Sequence, residues 1–114
     1  MLLNVAVLLF SIAAAFGVAM AAIHFTEGRP PPWAVAVLHG VFIIAGFGVL
    51  FGVVAENFRG HATFALGMFA LAGVGGAAMV LGWRAKPLPS VLVVVHGGVA
   101  LLGLAILIGA ALGM

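Results

Sequence analysis

The sequence predicts an all-α membrane protein in which four transmembrane helices form an up-down bundle. Two observations predict this fold class: 67% of the 114 residues are hydrophobic, and only 5% are charged. A soluble domain carries about 25% charged residues, so the few charged side chains here cannot cover a surface exposed to water. The lipid bilayer is therefore the expected surroundings of a single transmembrane domain over residues 1–114.

Three short clusters of charged residues divide the chain into four apolar segments. The segments cover residues 1–25, 33–55, 62–83 and 88–114, and each exceeds the roughly 20 residues that a helix needs to cross the hydrocarbon core. Because lipid offers no partner to a free backbone N–H or C=O, we expect each segment to be a helix. A signal peptide is the alternative for the first segment, but that segment lacks a positively charged start and its apolar run is too long.

The chain contains an internal repeat, in which residues 1–57 are followed by a second copy over residues 58–114. Each copy holds two spans, which return the chain to the side where it started, so both hairpins point in the same direction as parallel repeats. An up-down bundle then places the second and fourth helices on a diagonal, facing each other. Identical residues at a shift of 57 include His39 and His96, Gly40 and Gly97, Gly46 and Gly103, and Pro32 and Pro89.

His39 and His96 are the candidate ligands of a bound group. Each lies six residues after the expected start of its helix, so both lie about 9 Å below the same membrane surface. An ionisable residue inside a span is costly and by default indicates function. Small residues beside the histidines, or two turns further on the same face, leave space for a flat macrocycle. These small residues are Gly40, Gly46, Gly97 and Gly103.

Basic residues in two loops complete the predicted site. Both loops lie on the membrane side nearer to the histidines, and charge-assisted hydrogen bonds are the natural partners of carboxylates. We therefore expect these side chains to bind the propionates of a haem. The residues are Arg29 in the first loop and Arg84 and Lys86 in the third.

Paired histidines on facing helices, each followed by small residues, resemble the bis-histidine haem sites of small four-helix membrane b-type cytochromes of the cytochrome b561 type. The resemblance covers the His-Gly-x5-Gly repeat and the four-span layout. It implies one non-covalent haem b with His39 and His96 as axial ligands. Two axial histidines leave no open position on the iron, which favours electron transfer with quinol or a partner redox protein over oxygen chemistry. An electron-transfer protein or subunit is expected rather than a stand-alone enzyme.

Other interpretations of the two histidines stay open. They could form interhelical hydrogen bonds or relay protons, or bind a metal such as copper, although two nitrogens are too few for a closed site. With the histidines bonded internally, the chain would be a cofactor-free accessory or scaffold subunit of a larger membrane complex. A small proton-coupled transporter is a third alternative, which the sequence disfavours because Glu27 and Glu56 lie at span ends.

Other residues have expected positions relative to the site. His24 is expected beside it, and His61 in a solvated turn at the opposite surface, with a quinone head-group or proton site as its functional alternative. Gly48 and Gly52 form a small-residue face, which favours a homodimer or docking to a larger complex. The excess of basic residues near the histidines places that side in the cytoplasm, here of a bacterial inner membrane. No basic patch indicates nucleic acid.

Overall fold

Four long helices make up almost the whole of the described chain. The computed structural model describes residues 1–58, 60–82 and 87–114. All four helices are long and apolar enough to cross a membrane, and the longest dimension of 41 Å exceeds the roughly 30 Å of the hydrocarbon core. The predicted four-helix membrane fold is therefore confirmed. The helices are α1 (Leu2–Glu27), α2 (Trp33–Glu56), α3 (Gly60–Gly82) and α4 (Ser90–Ala111).

Glycine and proline define the helix ends nearest the histidines. α1 ends at Gly28, whose φ of 63° lies in the left-handed region and whose N–H donates to the carbonyl of His24. That conformation is disfavoured for residues with a Cβ. Pro32 and Pro89 directly precede α2 and α4, with ψ values of 135° and 127°. Because proline fixes φ and lacks an N–H, it suits a helix start, where that N–H would have no partner.

The helices follow the predicted up-down order. α1 and α3 each pack against both α2 and α4, whereas the backbones of α2 and α4 do not approach each other within the described ranges. α2 and α4 therefore occupy one diagonal of the bundle. We call the end where α1 and α3 finish and α2 and α4 begin the histidine end, and the opposite end the packed end.

The hydrophobic core fills only the packed end of the bundle. The rings of Phe10 and Phe69 stack in parallel across the centre, with centroids 3.8 Å apart and an interplanar angle of 2°. Leu50 and Leu107 are fully buried beside them. The buried hydrophobic side chains of the described residues are Ala6, Phe10, Ala13, Leu50, Val54, Ala65, Phe69, Ala72 and Leu107.

The buried residues reveal the register of the repeat in three dimensions. Leu50 and Leu107 are 57 residues apart, as the alignment of α2 with α4 predicts. Phe10 and Phe69, however, are 59 residues apart. The second hairpin thus has two residues fewer between its matched positions, which explains why α1 and α3 align poorly at a shift of 57. At a shift of 59 the identical pairs are Ala6/Ala65, Phe10/Phe69, Ala13/Ala72, Gly17/Gly76, Ala19/Ala78 and Met20/Met79.

We predict that Phe10→Ala lowers the free energy of unfolding by about 2 kcal/mol, because it leaves a cavity in a closely packed core. The matched control is Phe64→Ala, whose side chain is 62% exposed on the outer surface of α3. Unfolding in mixed micelles with increasing denaturing detergent measures both variants. Equal losses in the two variants would contradict the position of the core.

Candidate functional site

An open cleft occupies the histidine end, where the hydrophobic core is missing. Its volume of about 1390 Å³ exceeds the roughly 300–1,000 Å³ of common small-molecule pockets. Residues from all four helices line it, and the rings of Phe10 and Phe69 form its floor. The cleft is open to the outside, since Ile44 and Leu81 in its lining are 75% and 77% exposed, so the side chains of the histidine end do not close the centre of the bundle.

His39 and His96 face each other across this cleft. Their ring centroids are 6.4 Å apart and the ring planes are inclined by 70°. Both rings line the cleft. The structure thus brings together, from the diagonal helices α2 and α4, the two residues that the repeat singles out.

The same interhelical hydrogen bond fixes each ring. The Nδ1 of His39 donates to the carbonyl oxygen of Ala13 at 2.7 Å, and the Nδ1 of His96 donates to that of Ala72 at 2.8 Å. Because a carbonyl oxygen only accepts, the proton of each neutral ring lies on Nδ1. The Nε2 atom then carries the free lone pair, which is the tautomer that a metal-binding histidine requires.

Gly17 and Gly76, which the sequence did not predict as part of the site, lie against the histidine rings. A Cβ on Gly17 would stand 3.2 Å from the Cε1 of His39, and a Cβ on Gly76 would stand 3.1 Å from the Cε1 of His96. Such distances leave no room for a side chain unless the ring moves. The absence of a Cβ on α1 and α3 therefore lets each imidazole lie close to the neighbouring helix. The signal that could have found them is the shift of 59 residues between α1 and α3.

The four predicted glycines lie at two levels. Gly40 and Gly97 line the cleft, with open space where a Cβ would stand. Gly46 and Gly103 are buried one level deeper, and a Cβ on Gly46 would stand 3.1 Å from the ring of Phe10. Their immediate neighbours are thus the side chains of the cleft floor, for which they make room. Direct contact between these two glycines and a bound group stays a prediction.

Arg29 lies among the residues that line the cleft. Its guanidinium forms an ion pair with Glu27 at 3.2 Å, and both side chains are about half exposed. An exposed pair of this kind is weak and can exchange partners at little cost. Of the predicted propionate partners, the structure therefore places Arg29 near the site, whereas Arg84 and Lys86 lie outside the described residues.

The other two histidines lie at opposite ends of the bundle. The Nε2 of His24 and the hydroxyl of Ser90 are hydrogen-bonded at 3.0 Å, which ties the end of α1 to the start of α4. His24 also lines the cleft and lies nearer to the end of the bundle than His39 and His96. At the packed end, the Nδ1 of His61 donates to the carbonyl oxygen of Met114 at 2.6 Å. His24 is thus part of the cleft, and His61 is remote from it.

Of the three imidazoles that line the cleft among the described residues, His39 and His96 face each other, and His24 is bonded to Ser90. In the part of the chain that the structure describes, no three His, Cys, Asp or Glu side chains group together as a metal-ion site. A structural zinc ion takes four protein ligands, and a catalytic one takes three. The site therefore suits a metal that arrives with ligands of its own.

Comparison with protein-family models, curated proteins and solved structures finds no match for this chain. The resemblance to bis-histidine cytochromes consequently stays a prediction, which depends on the two histidines, their glycines and the four-helix layout.

Proposed function

We propose that the protein is a small membrane b-type cytochrome, in which one non-covalent haem b lies between α2 and α4 and transfers electrons. His39 and His96 are the axial ligands. The observation that carries the proposal is the pair of rings facing each other across an unfilled cleft, each with Nδ1 bonded to a backbone carbonyl. A second-shell acceptor of this kind is the usual partner of a histidine that binds metal.

The spacing of the two rings fits one iron between them. A metal–nitrogen bond of about 2.0 Å on each side separates the two nitrogens by about 4 Å. The centre of an imidazole lies about 1.1 Å behind its nitrogen, as ring bonds of about 1.3 Å require. With both Nε2 atoms directed at one iron, the two centroids would be about 6.2 Å apart, and the observed separation of the centroids is 6.4 Å.

The donor set fits a macrocycle better than a bare ion. Two imidazoles supply two coordination positions, and a porphyrin supplies the other four nitrogens that an octahedral iron needs. The cleft at the histidine end has the space for such a group, above the aromatic floor of Phe10 and Phe69. Arg29 lies close enough to the cleft to exchange Glu27 for a propionate, and Arg84 and Lys86 stay proposed as further partners.

The proposed role is electron transfer rather than stand-alone enzymatic catalysis. Haem b, when bound, supplies a one-electron iron couple. The chain fixes the tautomer and orientation of both imidazoles, and its apolar walls surround the group on the lipid side. With both axial positions occupied, no position is open to substrate, so a quinol or a partner redox protein is the proposed exchange partner.

Gly48 and Gly52 support the proposal of an assembly larger than one chain. Both glycines are exposed, and neither has a neighbour within 4 Å of the position a Cβ would take. Faces of small residues allow membrane helices to approach closely. A homodimer or a larger membrane complex would also supply the rest of an electron path, because one haem near one surface does not span the bilayer. Migration as a monomer in native membranes would contradict this.

We predict that the protein purified from haem-replete cells shows a strong Soret band that shifts and sharpens on reduction. His39→Ala and His96→Ala should each lower the haem content by about tenfold or more. Loss of an outer-shell partner already lowers metal affinity about 10–100-fold, and loss of a direct ligand costs more. Visible spectra of the oxidised and reduced protein, together with haem per chain, measure this effect.

The matched controls are His24→Ala and His61→Ala, which remove imidazoles that do not face each other across the cleft. Both should keep the spectrum. A colourless wild-type preparation would contradict the cytochrome proposal and would favour a cofactor-free accessory or scaffold subunit, in which the Nδ1 bonds to Ala13 and Ala72 serve as interhelical links.

The proposed location is the bacterial inner membrane, with the histidine end in the cytoplasm by the positive-inside rule. The chain contains no cysteine, so single introduced cysteines report sidedness directly. We predict that Thr26→Cys at the histidine end is shielded from an impermeant maleimide added to intact spheroplasts. Phe58→Cys, at an exposed position of the packed end, should be labelled. Labelling of Thr26→Cys without labelling of Phe58→Cys would show the opposite orientation and contradict the prediction.

A further inference from the structure

The two halves of the repeat differ beside their histidines. In the first hairpin the rings of Phe16 on α1 and Phe42 on α2 pack against each other, with centroids 6.1 Å apart. At the shifts of 59 and 57 residues that relate the helices, the matching positions hold Gly75 and Val99. Two aromatic rings in one half thus correspond to a glycine and a valine in the other.

This difference leaves a pocket on the second hairpin alongside His96. The pocket has a volume of about 250 Å³ between α3 and α4. It is open on the outer side of the bundle, where Val74 and Val95 are 69% and 57% exposed. Among the described residues, His96 is the one ionisable side chain in its lining. The other lining residues are aliphatic or glycine: Leu71, Ala72, Val74, Gly75, Leu92, Val95 and Val99.

His96 therefore lies between two spaces, the large cleft on one side and this pocket on the other. A Cβ on Gly75 would stand 3.7 Å from the Nδ1 and 3.9 Å from the Cβ of His96. The lack of a side chain on Gly75 therefore leaves space directly beside His96. Because the pocket is open on its outer side, the imidazole ring can turn into it without displacing a buried side chain. Where the pocket's counterpart would lie in the first hairpin, Phe16 and Phe42 fill the space.

We infer that His96 is the exchangeable ligand of the pair and that a small neutral diatomic gas binds at the His96 side, while His39 stays on the iron. The inference rests on the proposed haem. In the exchange the bond from ferrous iron to the Nε2 of His96 breaks, the imidazole keeps that electron pair, and the gas donates a pair to form the new bond. No electron changes site, and the ring moves into the pocket. Because the pocket is apolar, it does not retain the polar ring, and the exchange is reversible.

Carbon monoxide added to the dithionite-reduced protein tests this inference. The wild-type protein should bind it, which a shift of the Soret band reports. Filling the pocket with Gly75→Phe and Val99→Phe, which recreates the aromatic pair of the first hairpin, should slow binding by about tenfold or more, since the displaced ring then overpacks its surroundings.

The matched control is Gly67→Phe with Val91→Phe, which adds the same two rings to exposed positions of α3 and α4. It should bind carbon monoxide at the wild-type rate. If the double phenylalanine variant does not fold, Gly75→Ala with Val99→Leu provides a milder filling, because a Cβ on Gly75 meets only ordinary contacts. This variant should also bind more slowly than its counterpart Gly67→Ala with Val91→Leu.

Three results would overturn the inference. A reduced protein with a normal haem spectrum that does not bind carbon monoxide would contradict it and leave the cytochrome proposal standing. Equal binding rates in filled and control variants would show that the pocket has no part in the exchange. A colourless protein would remove the proposed function and this inference with it, and the spectrum before gas addition separates that failure from the first.

Discussion

Each polar group inside a membrane needs a hydrogen-bond partner. His39 and His96 find theirs in the same way. A backbone carbonyl of the preceding helix accepts the Nδ1–H of each ring, although helical carbonyls are already bonded within their own helix. The second lone pair of the carbonyl oxygen allows this extra bond. The bond sets the tautomer, leaves Nε2 with its lone pair and ties α1 to α2 and α3 to α4. Gly17 and Gly76 favour it, because a Cβ on either would stand 3.1–3.2 Å from the ring and push it away from the neighbouring helix.

The bundle divides its length between stability and binding. At the packed end, aromatic and aliphatic side chains close the centre, and the Phe10–Phe69 stack is the last closed layer. Beyond that layer, small residues on α1 and α3 leave the cleft. Since apolar burial adds little driving force between helices that already lie in lipid, close contacts at the packed end carry the association. The histidine end can then hold a ligand without being needed to assemble the bundle.

Composition and the repeat were sufficient to predict the four spans, their up-down order and the diagonal placement of α2 and α4. The site was harder to predict. Gly17 and Gly76 were missed because the alignment was fixed on the second helix of each hairpin, whereas the first helices follow a shift two residues longer. The neighbours of Gly46 could not be predicted either, because spacing identifies a helix face but not which side chain from another helix fills the space in front of it.

The central claim is that both imidazoles bind one iron through Nε2 while Nδ1 keeps its proton. The most direct measurement is the ¹⁵N NMR spectrum of the ferrous protein with labelled histidine, since low-spin ferrous iron with two nitrogen axial ligands is diamagnetic. We expect His39 and His96 each to show a protonated Nδ1 and a metal-bound Nε2, with free Nε2 signals in protein from which haem has been withheld. Ring nitrogens of His39 and His96 that are identical with and without haem would contradict the account.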